Sequence, residues 1–238
     1  MNHNSVIFSS FRHEAQNERV TPSRSSVNHW RPDALPRLDT RRPFSGGGAG
    51  KAQRSVFMNQ YIVDTTEQTS SAGLPGAFGP YSLTYLGADL EGLDAQPGTP
   101  GRWWTHYFNS SSNMIAYAQQ RGVPAGAGET TLHLSGDQLV ATTILAGAPV
   151  IRTTCTVKVG TGQRASGQLP YITRVSGQLV SGRYPFVMKS ADQFHVDKLE
   201  FLDRSHPTYD LRPKTALEVT FGFYSLISRS ATQAARDL

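Results

Sequence analysis

From Glu129 to Ile227 the chain is written as a series of short alternating segments, each closed by a turn. TTLHLS, QLVATTIL, PVIRTTCTVKV, PYITRVSGQLV, a run from Phe194 to Leu202 and ALEVTFGFYSLI are divided by SGD, AGAP, GTGQRASGQ and DRSHP. Side chains two apart share one face of a strand, and glycine, proline and aspartate punctuate the runs. Upstream, RSVFMNQYIVD (a strand over Ser55 to Val63), PYSLTYLGADL and RWWTHYF continue the pattern. A chain built this way buries its apolar faces as an antiparallel barrel or sandwich.

The segment SSSNMIAYAQQRG breaks the series. Ser112 or Asn113 supplies an N-cap, good helix formers follow, and Gly122 with Pro124 stops the run, which predicts one short helix. In RWWTHYF, strict alternation puts Trp103, Thr105 and Tyr107 on one face and Trp104, His106 and Phe108 on the other, so only one of Trp103 and Trp104 faces the interior. In PVIRTTCTVKV the apolar face is Ile151, Cys155, Val157 and Val159, and Arg152, Thr154, Thr156 and Lys158 are expected in solvent.

A length of 238 residues, 38% of them hydrophobic and 17% charged, with 22 glycines, fits one core rich in strands and turns. Residues 1–50 are polar and end in SGGGAG, the composition of a flexible arm and linker, which leaves residues 51–238 as a single β domain. The formal charge of +5 comes largely from arginines in that arm. They are interleaved with Glu14, Glu18, Asp33 and Asp39, so the arm reads as a solvated segment and nucleic acid is not the expected partner. One cysteine, Cys155, makes no internal disulfide, and no apolar stretch has the length of a secretory leader or a membrane span. The expectation is a cytoplasmic protein with no membrane partner.

Familiar reactive motifs are missing. His106, His133, His195 and His206 lack the close spacing of a metal site, no G-x-S-x-G elbow occurs, and SGGGAGK is followed by alanine where a phosphate loop needs serine or threonine. A thiol inside an apolar strand, as at Cys155, is inert. Neither a metal nor another cofactor is expected. Glu129, which opens a strand soon after the helix, is the carboxylate best placed for acid-base work, and His106 is the imidazole.

The stretch IAYAQQRGVP, followed by TTLHLSGDQLVATTIL, resembles the acetoacetate decarboxylase family, whose site motif runs roughly S-A-Y-P-K-K-L-G-Y-P. Ala116, Tyr117, Gly122 and Pro124 match it, LPYITRV is similar to a later strand of the family, and Asp203, His206, Pro207, Leu211 and Pro213 keep the order of its polar turn. The resemblance implies an antiparallel closed or cone-shaped β-barrel with one or few short helices, around an interior pocket, in a homo-oligomer. In that family a lysine of depressed pKa forms a Schiff base with a ketone, and acetoacetate decarboxylase is the stock example of amine activation by a neighbouring cation. The two family lysines fall on Gln119 and Gln120. An amide forms no imine, but it donates and accepts hydrogen bonds.

The expected function is therefore non-covalent catalysis on a small carbonyl-bearing molecule of polyketide-like, natural-product metabolism: cyclisation, pericyclic closure, isomerisation or dehydration. Gln119 and Gln120 are the expected donors, Tyr117, Trp103, Trp104, Tyr107 and Met114 the walls, and His106 or Glu129 the acid or base. Two alternatives stand beside it: a β-keto acid decarboxylase working through a relocated Lys158, Lys189, Lys198 or Lys214, and a non-catalytic carrier or structural protein with a basic arm.

Overall fold

The structure, a computed structural model, describes residues 4–14, 53–63, 68–69, 75–76, 78–96, 99–159, 164–189, 191–213 and 216–227. Its strands are β1 (Asn4–Glu14), β2 (Gln53–Val63), β3 (Gln68–Thr69), β4 (Pro75–Gly76), β5 (Tyr81–Gln96), β6 (Thr99–Asn109), β7 (Ala125–Ala127), β8 (Glu129–Ser135) and β9 (Gln138–Leu145). They continue with β10 (Ala148–Lys158), β11 (Arg164–Val175), β12 (Gln178–Lys189), β13 (Gln193–Phe201) and β14 (Val219–Ile227). Helix α1 (Ser112–Gln119) interrupts them, and a 3-10 turn spans Pro207–Leu211.

The strands form an eight-stranded sheet in the order β12, β11, β6, β5, β2, β1, β14, with β7 paired on β6, and a four-stranded sheet in the order β13, β10, β9, β8. The larger sheet curls tightly. Phe57 on β2 and Tyr171 on β11 are three ladder steps apart, about 14 Å across a flat sheet, yet their ring centroids lie 5.9 Å apart. Strands β12 and β14, the two ends of the ladder, come back within 8 Å of one another at Cα. Among the described residues no hydrogen-bonded ladder joins those ends, so the mainly β expectation holds while the ladders describe two sheets and no closed ring.

Two details depart from the sequence reading. Asn4–Glu14 is a strand between β2 and β14, inside the segment read as a flexible arm: SVIFSSF is rich enough in β-branched and aromatic residues to pair once two neighbours are available. Residues 1–3 and 15–50 of that arm and linker lie outside the described residues. PYITRVSGQLV, read as one strand, is a hairpin, with Ser176 and Gly177 at φ of 50° and 81° forming the two-residue turn that matches strand twist.

Along β2, β5 and β6 the larger sheet is buried on both faces. Its concave face holds Phe57, Tyr61, Leu83, Tyr85, Tyr107 and Tyr171 and is covered by Met114 and Ala118 of α1. Its other face, with Val56, Met58 and Leu86, packs on Val150, Ile151 and Phe201. Between the two sheets lies a polar layer: Gln60 donates to Thr143 (3.1 Å) and accepts from Thr153 (2.7 Å), and the Thr84 hydroxyl meets those of Thr130 and Thr143, each at 2.7 Å. Gln60, Thr84, Thr143 and Thr153 have no exposed surface, so these bonds replace the water that the groups lose.

Candidate functional site

Helix α1 is fixed at both ends. The Ser111 hydroxyl caps it by accepting from the Met114 N–H (3.4 Å) and donates to the Phe78 carbonyl (2.8 Å). At the other end Gly122 takes φ of 74°. A Cβ there would stand 2.1 Å from the Arg174 carbonyl oxygen, so only glycine lets the β11–β12 hairpin close over the helix terminus. With Met114 and Ala118 one turn apart, α1 turns that stripe down onto the concave face.

Beneath it the rings form a wall. Tyr85 and Tyr107 lie nearly parallel at 6.0 Å and 4°, and Trp104 stacks on Tyr171 at 4.0 Å and 10°. Tyr85 meets Trp104 edge-on at 6.2 Å. This arrangement depends on a bulge: Leu86 pairs with His106 and Gly87 with Trp104, which leaves Thr105 as the extra residue. The bulge breaks the two-residue alternation, so Trp104 and Tyr107 share the interior face and His106 turns away. Trp104 is thus the tryptophan of the pair that joins the aromatic interior.

A polar apex sits among these rings. The Asn59 side-chain amide donates to the Tyr85 hydroxyl, which is 2.9 Å from the Tyr171 hydroxyl. The two hydroxyls share one hydrogen bond, in which either can donate, and the Asn59 amide joins it to a short chain of polar groups. Asn59 Oδ1 and Trp104 Nε1 are buried and have no hydrogen-bond partner among the described residues. At the edge of the cluster the Arg102 guanidinium lies 5.1 Å from the Phe57 ring centre and 3.3 Å from Asp89. Burial raises the Asp89 carboxyl above its usual range, and Arg102 opposes the shift.

The residues read from sequence separate into three places. Trp104, Tyr107 and Met114 line the aromatic interior, with Tyr117 packed against it and held by Phe78 (5.1 Å) and by the Arg121 guanidinium over its ring (3.5 Å). Trp103 is buried. Gln119 and Gln120 are exposed at the end of α1, and the Gln119 amide donates to the Ala125 carbonyl (2.8 Å). Ala118 takes the buried stripe, and the next two positions rotate by about 100° each, away from the rings. Gln119 ties α1 to β7.

His106 lies across the sheet with Phe108 (5.8 Å) and His206 (6.1 Å). Burial, reinforced by His206, lowers its pKa to about 4. Glu129 is exposed and borders an open cleft of ≈ 340 Å³ with Tyr81, Ser82, Ser110, Thr130 and Thr131. Neither His106 nor Glu129 is a member of the aromatic cluster. Among the described residues no group of three or more metal-ligating side chains comes together. No helix of the described residues is long and apolar enough to cross a membrane.

Asn59, Tyr85 and Tyr171 escaped the sequence reading. Each sits at a regular strand position with nothing unusual beside it, and the three meet only because β2, β5 and β11 curl together. The alternation Phe57, Asn59, Tyr61 did carry one legible sign, an amide on an aromatic face.

A curled β-sheet closed over by one short helix, with an aromatic interior beneath it, places the chain in a class of mainly β folds. The particular fold is that of acetoacetate decarboxylase. One solved structure of acetoacetate decarboxylase matches with a TM-score of 0.51 at 14% identity, over 94% of this chain and 83% of that one. The acetoacetate decarboxylase of Legionella pneumophila subsp. pneumophila str. Philadelphia 1 matches with a TM-score of 0.50 at 14% identity, over 95% and 81%. No protein-family model matches the sequence, and no curated protein matches it. At this identity the likeness is one of fold, and it agrees with the resemblance carried by IAYAQQRGVP.

Proposed function

We propose that this chain is an enzyme that binds a carbonyl-bearing small molecule in the aromatic interior beneath α1 and rearranges it without a covalent imine. Cyclisation, pericyclic closure, isomerisation or dehydration of a polyketide-like intermediate fits this reading. The observation that carries it is the Asn59–Tyr85–Tyr171 apex among stacked rings. A hydrogen-bonded tyrosine pair donates to a carbonyl oxygen and stabilises the charge of an enolate as it develops. Trp104, Tyr107, Met114 and Tyr117 hold a flexible chain in a reactive conformer, and proximity of this kind supplies on the order of 7 to 11 kcal/mol in favourable cases.

Imine chemistry has less support. By the motif resemblance Gln119 and Gln120 fall where that family carries its lysines, and among the described residues no lysine is buried. Lys158 and Lys198 are exposed, and Lys198 pairs with Glu200 at 2.7 Å. The side chains of Lys189 and Lys214 lie outside the described residues.

Replacing Tyr85 and Tyr171 with phenylalanine keeps the rings and removes the hydroxyl pair. The expected outcome is a loss of turnover of about 10² to 10⁴-fold with little change in fold. Unchanged turnover overturns the assignment, and borohydride trapping of a β-keto acid on a lysine would favour decarboxylation instead.

A further inference from the structure

We infer that Asn59 Oδ1 and Trp104 Nε1 together select a neutral, planar, conjugated carbonyl compound that also carries an O–H or N–H donor. The inference rests on the reading of the aromatic interior as the substrate site and names what that site accepts.

Asn59 is 5% exposed, and its amide nitrogen is already engaged by Tyr85. Its Oδ1 is an acceptor only, and the indole Nε1 is a donor only. Both are buried, and neither has a partner among the described residues. Buried polar groups of folded proteins are paired in the great majority, and an unpaired one calls for an account. Here the two complementary groups flank the same residue: Tyr85 takes the Asn59 amide at its hydroxyl and faces Trp104 with its ring, 6.2 Å away.

A ligand that satisfies both groups offers an acceptor to Trp104 and a donor to Asn59. A carboxylate is acceptor-only and sets its charge against Oδ1, which excludes a β-keto acid anion from this position. An ammonium group satisfies Asn59 and opposes the indole N–H. The rings of Tyr85 with Tyr107, at 4°, and of Trp104 with Tyr171, at 10°, already stack on each other, so a ligand meets their outer faces and edges, which favour a flat one. Enolised 1,3-dicarbonyls and hydroxyaryl ketones have these properties.

The test is calorimetric titration of the full chain with three probes: dihydroxyacetophenone, its dimethyl ether, and dihydroxybenzoate. The expected result is saturable binding of the hydroxy ketone, with the ether at least about tenfold weaker because it leaves Asn59 Oδ1 unpaired, and the benzoate at least about tenfold weaker because it carries a charge into a buried site with no cation for it. Asn59→Leu should abolish the preference for the phenol over the ether. Trp104→Phe, which keeps the ring and loses the N–H, should weaken ketone binding about tenfold, and it carries the test should Asn59→Leu fail to fold. Equal binding of the three probes, no saturable binding of the ketone, or wild-type affinity in Trp104→Phe overturns the inference. Tyr107→Ala separates the two levels. If it abolishes binding that Trp104→Phe leaves intact, the site stands without the selection; if it also leaves binding intact, the substrate site itself is wrong.

Discussion

Thr143→Val removes one hydroxyl from the layer between the two sheets and changes almost nothing in shape. Thr143 is fully buried, accepts from Gln60 at 3.1 Å and meets the Thr84 hydroxyl at 2.7 Å. The substitution leaves a carboxamide N–H and a threonine hydroxyl each short of one partner, with no access to water. Thr84 keeps its bond to Thr130 at 2.7 Å, so the Gln60 N–H is the group left unpaired, and the variant should lose about 1 to 3 kcal/mol. The assay is urea unfolding, in which the midpoint should fall while the slope stays constant, since the same surface is exposed. Adding Gln60→Leu and Thr153→Val removes the orphaned partners as well, and the triple variant should lose less than the sum of the single ones. A loss under about 0.5 kcal/mol for Thr143→Val would show that the layer does not hold the sheets together.

Other expectations follow from individual residues. The His106 pKa is lowered to about 4 by burial, so the native state stays neutral where the unfolded chain takes up a proton. Its contribution to stability is complete above about pH 6.5 and is lost as pH falls toward 4, roughly 3 kcal/mol in all; His106→Phe should flatten the urea midpoint over that window, and an unchanged slope refutes the burial. Gly122→Ala forces a Cβ to 2.1 Å from the Arg174 carbonyl at a positive φ, and thermal unfolding should register a loss of more than about 1 kcal/mol. The buried Cys155 thiol, pushed up to about 12 by burial and Asp197, should resist a thiol reagent in the native state and react on unfolding.

Much of this fold was legible because strands carry local signs. The two-residue alternation and the turn residues located β8 to β10, β13 and β14 within a few positions, and capping chemistry set the start of α1 at Ser112 or Asn113, one or two residues past the actual cap Ser111, and its stop at Gly122. The site was less legible because it is made by contacts remote in sequence. Asn59 and Tyr85 are 26 residues apart and Tyr85 and Tyr171 are 86 apart, and nothing near any of them marks the others. The bulge at Thr105 had the largest effect: one extra residue moved Trp104 to the face of Tyr107 and sent His106 to the opposite one. Gln119 and Gln120 lie exposed at the end of α1; matching a motif fixes a position in the chain and leaves the helical rotation open.

The most direct test of the central claim begins with the compound that accumulates when the gene is deleted. Given to the purified protein and followed by mass spectrometry with and without borohydride, it should yield a rearranged or dehydrated product and leave no reduced adduct on any lysine. A product lighter by carbon dioxide together with a lysine adduct would contradict the account, and would place an imine where the Asn59–Tyr85–Tyr171 apex is proposed to act.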